Sequence, residues 1–192
     1  KDSVVLSSHT ACRSSCELKA AWLYTVRALI LLHTLPAGVA CLAITHHKTV
    51  QSQNITLPHR LRCLLLGFAC TVAFEVLISF LFPVQTRNQS LLVEVGKQVS
   101  HVIFLLFLVN ASVLEEVFYR QLLWEKLTYP FVQIGVTSFL FALAHGPIQL
   151  ESWLIYSCLG LTLAVVRLKT DCMTAITLHL LWNSLVYVLT FL

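Results

Sequence analysis

The sequence predicts an all-α fold, a polytopic transmembrane bundle of about six helices with a polar active-site cluster inside the membrane. Charge, hydropathy and run length each lead there. Only 11% of the 192 residues are charged and 57% are hydrophobic, whereas an ordinary soluble domain carries about 25% charged residues. Mean hydropathy is +0.79, and several apolar runs approach the ~20 residues that a helix needs to cross a bilayer. This composition excludes disorder, an ordinary water-soluble globule, and nucleic-acid binding as the main task. The net charge of +4 is small and scattered, which suits the basic flanks of membrane segments.

Taken along the chain, the first span is expected over Ala21 to Thr45, with Arg27 near its start and Pro36 as a kink. A polar loop with His46, His47, Lys48, Pro58, Arg60 and Arg62 follows. The second span runs from Cys63 to Phe82 and stops at Pro83, before a second polar loop containing Arg87, Glu94 and Lys97. Within that loop, the eight residues Leu91–Gln98 are a candidate interfacial segment. The third span starts at Val99, meets Glu115-Glu116, turns amphipathic through Arg120, Trp124, Glu125 and Lys126, and ends before Pro130. It reads as one long helix, or two collinear ones, over Val99 to Thr128. The fourth runs from Phe131 to His145 and is ended by Gly146-Pro147. The fifth covers Leu150 to Leu168 and the sixth Met173 to Leu192.

The seven cysteines follow no metal spacing. Cys12 and Cys16 form a CxxxC pair without further ligands nearby, and Cys41, Cys63, Cys70 and Cys158 sit in apolar runs, where a thiol acts as a small hydrophobe. The first residue is Lys1, so a fragment or processed product is expected, and the first twenty residues lack the pattern of a cleavable signal peptide. Lys and Arg after the first span, at the end of the third and at Arg167–Lys169 slightly outnumber those on the other side, which puts them in the cytoplasm.

Ionisable residues at membrane depth are costly, so each needs a reason. They are Glu75, His101, Glu115, Glu116, Arg120, His145 and His179, with Asn110 and Asn183 as polar neutrals. Glu116 and Arg120 stand at i and i+4, the spacing of an ion pair on one helix face. His179 and Asn183 share a face in the same way, as do Phe141 and His145. Glu115 lies about 100° around the helix from Glu116, so its partner must come from another helix. With Pro130 as the tip of a helical hairpin, Glu115 and His145 each lie about 22 Å from the turn at 1.5 Å per residue, and so face each other. His179 and Asn183 enter from the same membrane side.

A carboxylate and an imidazole can hold and deprotonate a water, while a second imidazole and an amide can donate to an oxyanion. Together they make a hydrolase without a covalent nucleophile. Two histidines and two glutamates are also zinc-competent types, but the HExxH pattern is absent and the ligands would come from three helices. No metal and no cofactor is therefore expected. The alternative for each polar residue is an interhelical hydrogen bond. That is the expectation for Glu75, His101 and Asn110, with a substrate or gating contact as the functional option for Glu75. Arg27 and His33 read as snorkelling or helix-contact groups. Of the sequons at Asn54, Asn88 and Asn110, the last falls inside a membrane span and is a chance match.

Three segments stand in order: Glu115-Glu116-Val117-Phe118-Tyr119-Arg120, Phe141-Ala142-Leu143-Ala144-His145, and His179-Leu180-Leu181-Trp182-Asn183. They match EExxxR, FxxxH and HxxxN, and on these motifs the chain resembles the CAAX-protease and bacteriocin-processing family (CPBP, or Abi), which includes the type II CAAX prenyl endopeptidases. The likeness covers roughly Val99 to Leu192. Gly160 looks like the family's small-residue packing position, and Gln121 departs from the glycine that many members carry after the arginine.

The resemblance implies an intramembrane glutamate protease in which Glu115 and His145 activate water. His179 and Asn183 would form the oxyanion hole, and Glu116 and Arg120 would brace the site as an ion pair. It implies a helical bundle with a cavity open towards the cytosol and the lipid. The expected organisation is a polar stretch plus two spans over residues 1–98 and a four-helix catalytic core over 99–192. The expected setting is a bacterial cytoplasmic membrane, with the bilayer and a peptide or protein substrate, lipid-modified or not, as partners. Some members act in immunity or regulation, so a non-catalytic membrane scaffold of the same family is the alternative. A transporter would want broken helices in paired halves, and the halves here do not look alike.

Overall fold

The computed structural model describes residues 37–43, 45, 55–82 and 87–192. Most of the first expected span, with Arg27, His33 and Pro36, lies outside the described residues, as do Cys12, Cys16 and Asn54. Among the described residues there are helices and no strand. The protein is an all-α polytopic membrane bundle.

Helix α1 spans Leu57–Leu81. It begins six residues before the expected start at Cys63 because Pro58 occupies the first turn, where a missing N–H costs nothing. The residues assigned to a loop are put to use there. Arg60 Nη2 meets Asp171 Oδ2 at 2.9 Å, and the His59 ring donates to the Lys169 carbonyl at 3.1 Å. The outer face of α1 exposes Leu65 (67%), Leu66 (65%) and Phe80 (84%). Water would penalise that surface and hydrocarbon does not.

The second expected loop is a helix, α2, over Arg87–Gln98. Its inward positions Gln89, Leu92, Val93 and Gly96 follow the i, i+3, i+4, i+7 rhythm of a one-sided helix, while Ser90, Glu94 and Lys97 face out. Loop expectation failed here because the polar outer face masks that rhythm. Gly96 lies on the Phe191 ring, where an added Cβ would collide.

Helix α3 covers His101–Val117 and is capped by Ser100, whose side chain accepts from the Ile103 N–H at 3.4 Å. It continues as a widened π turn over Phe118–Leu123 and a tight 3-10 turn over Trp124–Lys126. The helix expected over Val99 to Thr128, in one piece or two collinear ones, is thus present over His101–Lys126 with its last third altered. Its last carbonyls, of Trp124 and Leu127, are taken by the Gln133 amide at 3.1 and 2.8 Å, which satisfies acceptors that a helix end leaves open.

Helix α4 runs Pro130–Ala144, starting on Pro130 and ending at His145 and Gly146 (φ 60°), a left-handed residue that glycine adopts without strain. Helix α5 is Leu150–Lys169 and α6 is Cys172–Phe191. Asp171 caps α6 by accepting from Thr174 N at 2.9 Å and Thr174 Oγ1 at 3.0 Å. Among the described residues, α1, α3 with its extension, α5 and α6 are long and apolar enough to cross a membrane, and α4 is shorter.

The core is formed where α4, α5 and α6 meet the end of α3, around Phe141, Leu163, Leu178 and Tyr119. A second cluster joins Val113 and Val117 of α3 to Cys172 and Ile176 of α6. Gly160 allows α5 to approach α4 closely. A Cβ there would stand 3.1 Å from the Ser138 carbonyl oxygen and 3.2 Å from the Phe141 ring.

Candidate active site

The three motifs occupy three different helices, and the fold brings them to one place. Arg120 is fully buried at the π turn. Its Nη1 and Nη2 donate to the carbonyls of Thr137 (3.3 Å) and Gly160 (2.9 Å), and its guanidinium lies 5.3 Å from the Phe141 ring centre. Glu116, also fully buried, sets Oε2 3.5 Å from Arg120 Nε and accepts from His179 Nδ1 at 3.0 Å through Oε1. The expected ion pair is therefore present, and the carboxylate is shared with a histidine.

Because Nδ1 of His179 donates to Glu116, its Nε2 points the other way, to 4.0 Å from Glu115 Oε2. His145 is held in parallel fashion. Its Nδ1–H donates to the Phe141 carbonyl at 2.8 Å, and its Nε2 also lies 4.0 Å from Glu115 Oε2. These ring assignments follow from the acceptors that each nitrogen meets. One carboxylate oxygen thus faces two imidazole nitrogens across gaps too long for a direct hydrogen bond and suited to one bridging water. The Glu115 side chain is one-third exposed, while its Oε2 is buried and makes no direct hydrogen bond. The partner that Glu115 needed from another helix is supplied by both α4 and α6.

Asn183 lies one turn beyond His179 on α6. One N–H of its amide donates to Ser112 Oγ at 2.8 Å, and Ser112 in turn donates to the Leu108 carbonyl. The amide carries two N–H groups, so a second donor remains. Glu115, His145, His179 and Asn183 all line one cavity of about 700 Å³. Its walls are mainly apolar, from Phe104, Leu108, Leu159 and Val186, with Glu75 and Gln89 further along. It runs from the glutamate–histidine group towards the α2 end of the bundle, away from the end that holds Arg60, Lys126 and Lys169.

Several supporting groups escaped the sequence. Ser112 orients Asn183, and its i, i+4 relation to Glu116 was a usable signal. Tyr156 stacks on His145 with ring centres 4.3 Å apart, and nothing in the pattern of α5 points to it. Arg167 Nε donates to the Arg120 carbonyl at 2.7 Å, steadying the π turn. Gln121 is buried and bonds Glu125 on its own helix.

The other polar residues are placed elsewhere. His101 pairs with the Tyr187 hydroxyl at 2.6 Å near the far end of the cavity. Asn110 is buried against Gly38 of the 37–43 helical piece.

The family model described as type II CAAX prenyl endopeptidase Rce1-like matches residues 97–185. The UPF0177 protein YvdC of Lactococcus lactis subsp. lactis (strain IL1403) is 29% identical over 128 residues, which is 62% of this chain and 49% of that protein. The chain thus spans about half the length of the curated relative it matches. No solved structure matches. The matched stretch holds all three motifs, and over residues 97–185 the chain is similar to the Rce1-like type II CAAX prenyl endopeptidases.

Proposed function

We propose that the chain is an intramembrane endopeptidase of glutamate type, which hydrolyses a peptide bond of a membrane-associated substrate with a water held by Glu115 and His145. The observation that carries this reading is the pair of 4.0 Å gaps from Glu115 Oε2 to the Nε2 atoms of His145 and His179. A water between Glu115 and His145 loses a proton to the carboxylate as its oxygen attacks the carbonyl carbon. The oxyanion accepts from the His179 ring at Nε2 and from the free N–H of Asn183. Glu116, accepting from Nδ1 at 3.0 Å, fixes the ring so that Nε2 faces the site. Arg120 in turn neutralises and fixes Glu116. Glu115 then returns its proton to the departing amine. Each role falls on a residue of a family motif.

The apolar cavity walls suit a peptide drawn from the lipid phase, with or without a lipid group. His179 lies seven residues into α6, ~10 Å from the basic end. With that end in the cytoplasm, the reacting carboxylate sits in the cytoplasmic half, and the cavity extends into the opposite half rather than opening towards the cytosol as the family resemblance implies.

The test is cleavage of a membrane-peptide library by the protein in liposomes, with and without a strong chelator, followed by zinc. Cleavage that survives chelation supports the water-only mechanism. Loss on chelation with recovery on zinc makes it a metalloenzyme, and a cellular phenotype without any cleavage favours the scaffold.

A further inference from the structure

Glu75 is left over from this mechanism, yet it shares the cavity. It projects from α1 into the space lined by Glu115, His145 and Asn183. Among the described residues it makes no hydrogen bond and no ion pair. A carboxylate at membrane depth calls for a partner, and the cavity is where one can arrive.

Its distance from the reacting group follows from contacts between helices. Arg60 meets Asp171, and Gly67 lies against Leu178, so α1 and α6 run in the same direction with a constant offset. Glu75 is eight residues beyond Gly67, while His179 is one beyond Leu178. Glu75 therefore lies ~10 Å further along the cavity than His179, at 1.5 Å per residue. An extended peptide covers that distance in about three residues. Ser79 follows Glu75 by one turn of α1, and the cavity lining, which includes Leu108, Ile155 and Val186, holds no Lys or Arg.

Resting on the endopeptidase reading above, we propose that Glu75 selects the substrate: its carboxylate takes a Lys or Arg side chain about three residues from the bond that is cut. The cation's charge is matched inside the cavity, and its aliphatic stem packs on the apolar walls, the arrangement that long basic side chains adopt at apolar surfaces.

The test uses the full chain in liposomes and a set of peptides carrying Lys, norleucine or Glu three residues to either side of the cleavage site. Wild type should favour Lys over norleucine by about 10- to 100-fold in kcat/KM at one of the two positions, as a charge-assisted hydrogen bond allows. Glu75→Gln, which keeps size and shape, should bring that ratio close to one. Glu75→Lys should invert the preference towards Glu, an outcome that a merely structural role would not produce.

Binding of the same peptides, carrying a fluorescent label, to Glu115→Gln protein gives a second readout that needs no turnover. If nothing is cleaved but Lys peptides bind better and Glu75→Gln removes the difference, the endopeptidase reading fails and the assignment of Glu75 stands. An equal ratio in wild type and Glu75→Gln, by cleavage and by binding, overturns the assignment.

Discussion

Replacing Glu116 by glutamine tests whether the buried network acts as a charge relay or as simple packing. Glutamine fills the same volume and can still accept from His179, but it cannot offset Arg120. At 3.5 Å and an effective dielectric of about 20, the lost attraction is about 5 kcal/mol. Breaking a buried pair commonly costs about 3–5 kcal/mol, because the surviving charge is stranded. Arg120 keeps its bonds to the Thr137 and Gly160 carbonyls, so the lower end of that range is expected. The assay is reversible unfolding in mixed micelles of Glu116→Gln, Arg120→Met and the double variant, with cleavage measured in parallel. The double variant should be more stable than the sum of the two losses implies, by at least 2 kcal/mol, since it strands neither charge. Its activity should stay as low as that of Glu116→Gln, because His179 has lost the carboxylate at its Nδ1 in both. Stabilities that add to within about 0.5 kcal/mol would refute the pairing.

Other perturbations follow from the same geometry. Gly160→Ala should cost about 1–3 kcal/mol through overpacking against Ser138 and Phe141, read as a lowered melting temperature in detergent. Ser112→Ala should lower kcat about 3- to 10-fold with little change in KM, the effect of losing one orienting hydrogen bond. Asn183→Ala removes the donor itself and should lower kcat about 10²- to 10³-fold. Asp171→Ala removes the α6 cap and the partner of Arg60, and should destabilise the protein by about 1–2 kcal/mol. In a variant stripped of native cysteines, a cysteine at Lys97 should react in intact cells with an impermeant maleimide and one at Lys169 should not. The reverse pattern would turn the bundle over.

Much of the site was legible in the sequence because its residues are both rare at membrane depth and regularly spaced. The Glu116–Arg120 pair follows from i, i+4. The meeting of Glu115 with His145 follows from equal distances to Pro130, and the separation of Glu115 from Glu116 follows from the helical period. What was not legible has a physical cause in each case. Arg120 ends on the carbonyls of Thr137 and Gly160, and backbone acceptors leave no trace in residue identity. The π turn differs from an α turn by one residue of hydrogen-bond register, which composition does not encode. Tyr156 meets His145 only through the α4–α5 packing that Gly160 permits. Helix α2 was missed because Glu94 and Lys97 hide an inward stripe of Gln89, Leu92, Val93 and Gly96. The early start of α1 turns on Pro58, which reads as a breaker in a loop and as a starter at a helix N-terminus.

The measurement that bears most directly on the central claim is a side-by-side cleavage assay of wild type and Glu115→Gln in liposomes, with folding checked by circular dichroism and melting temperature. Glu115 Oε2 has no direct hydrogen bond to lose, so the substitution should leave folding intact. The account predicts cleavage by wild type at defined bonds and a fall of about 10²- to 10⁴-fold in the variant, the range for losing a general base. A folded Glu115→Gln protein that cleaves at the wild-type rate would contradict it.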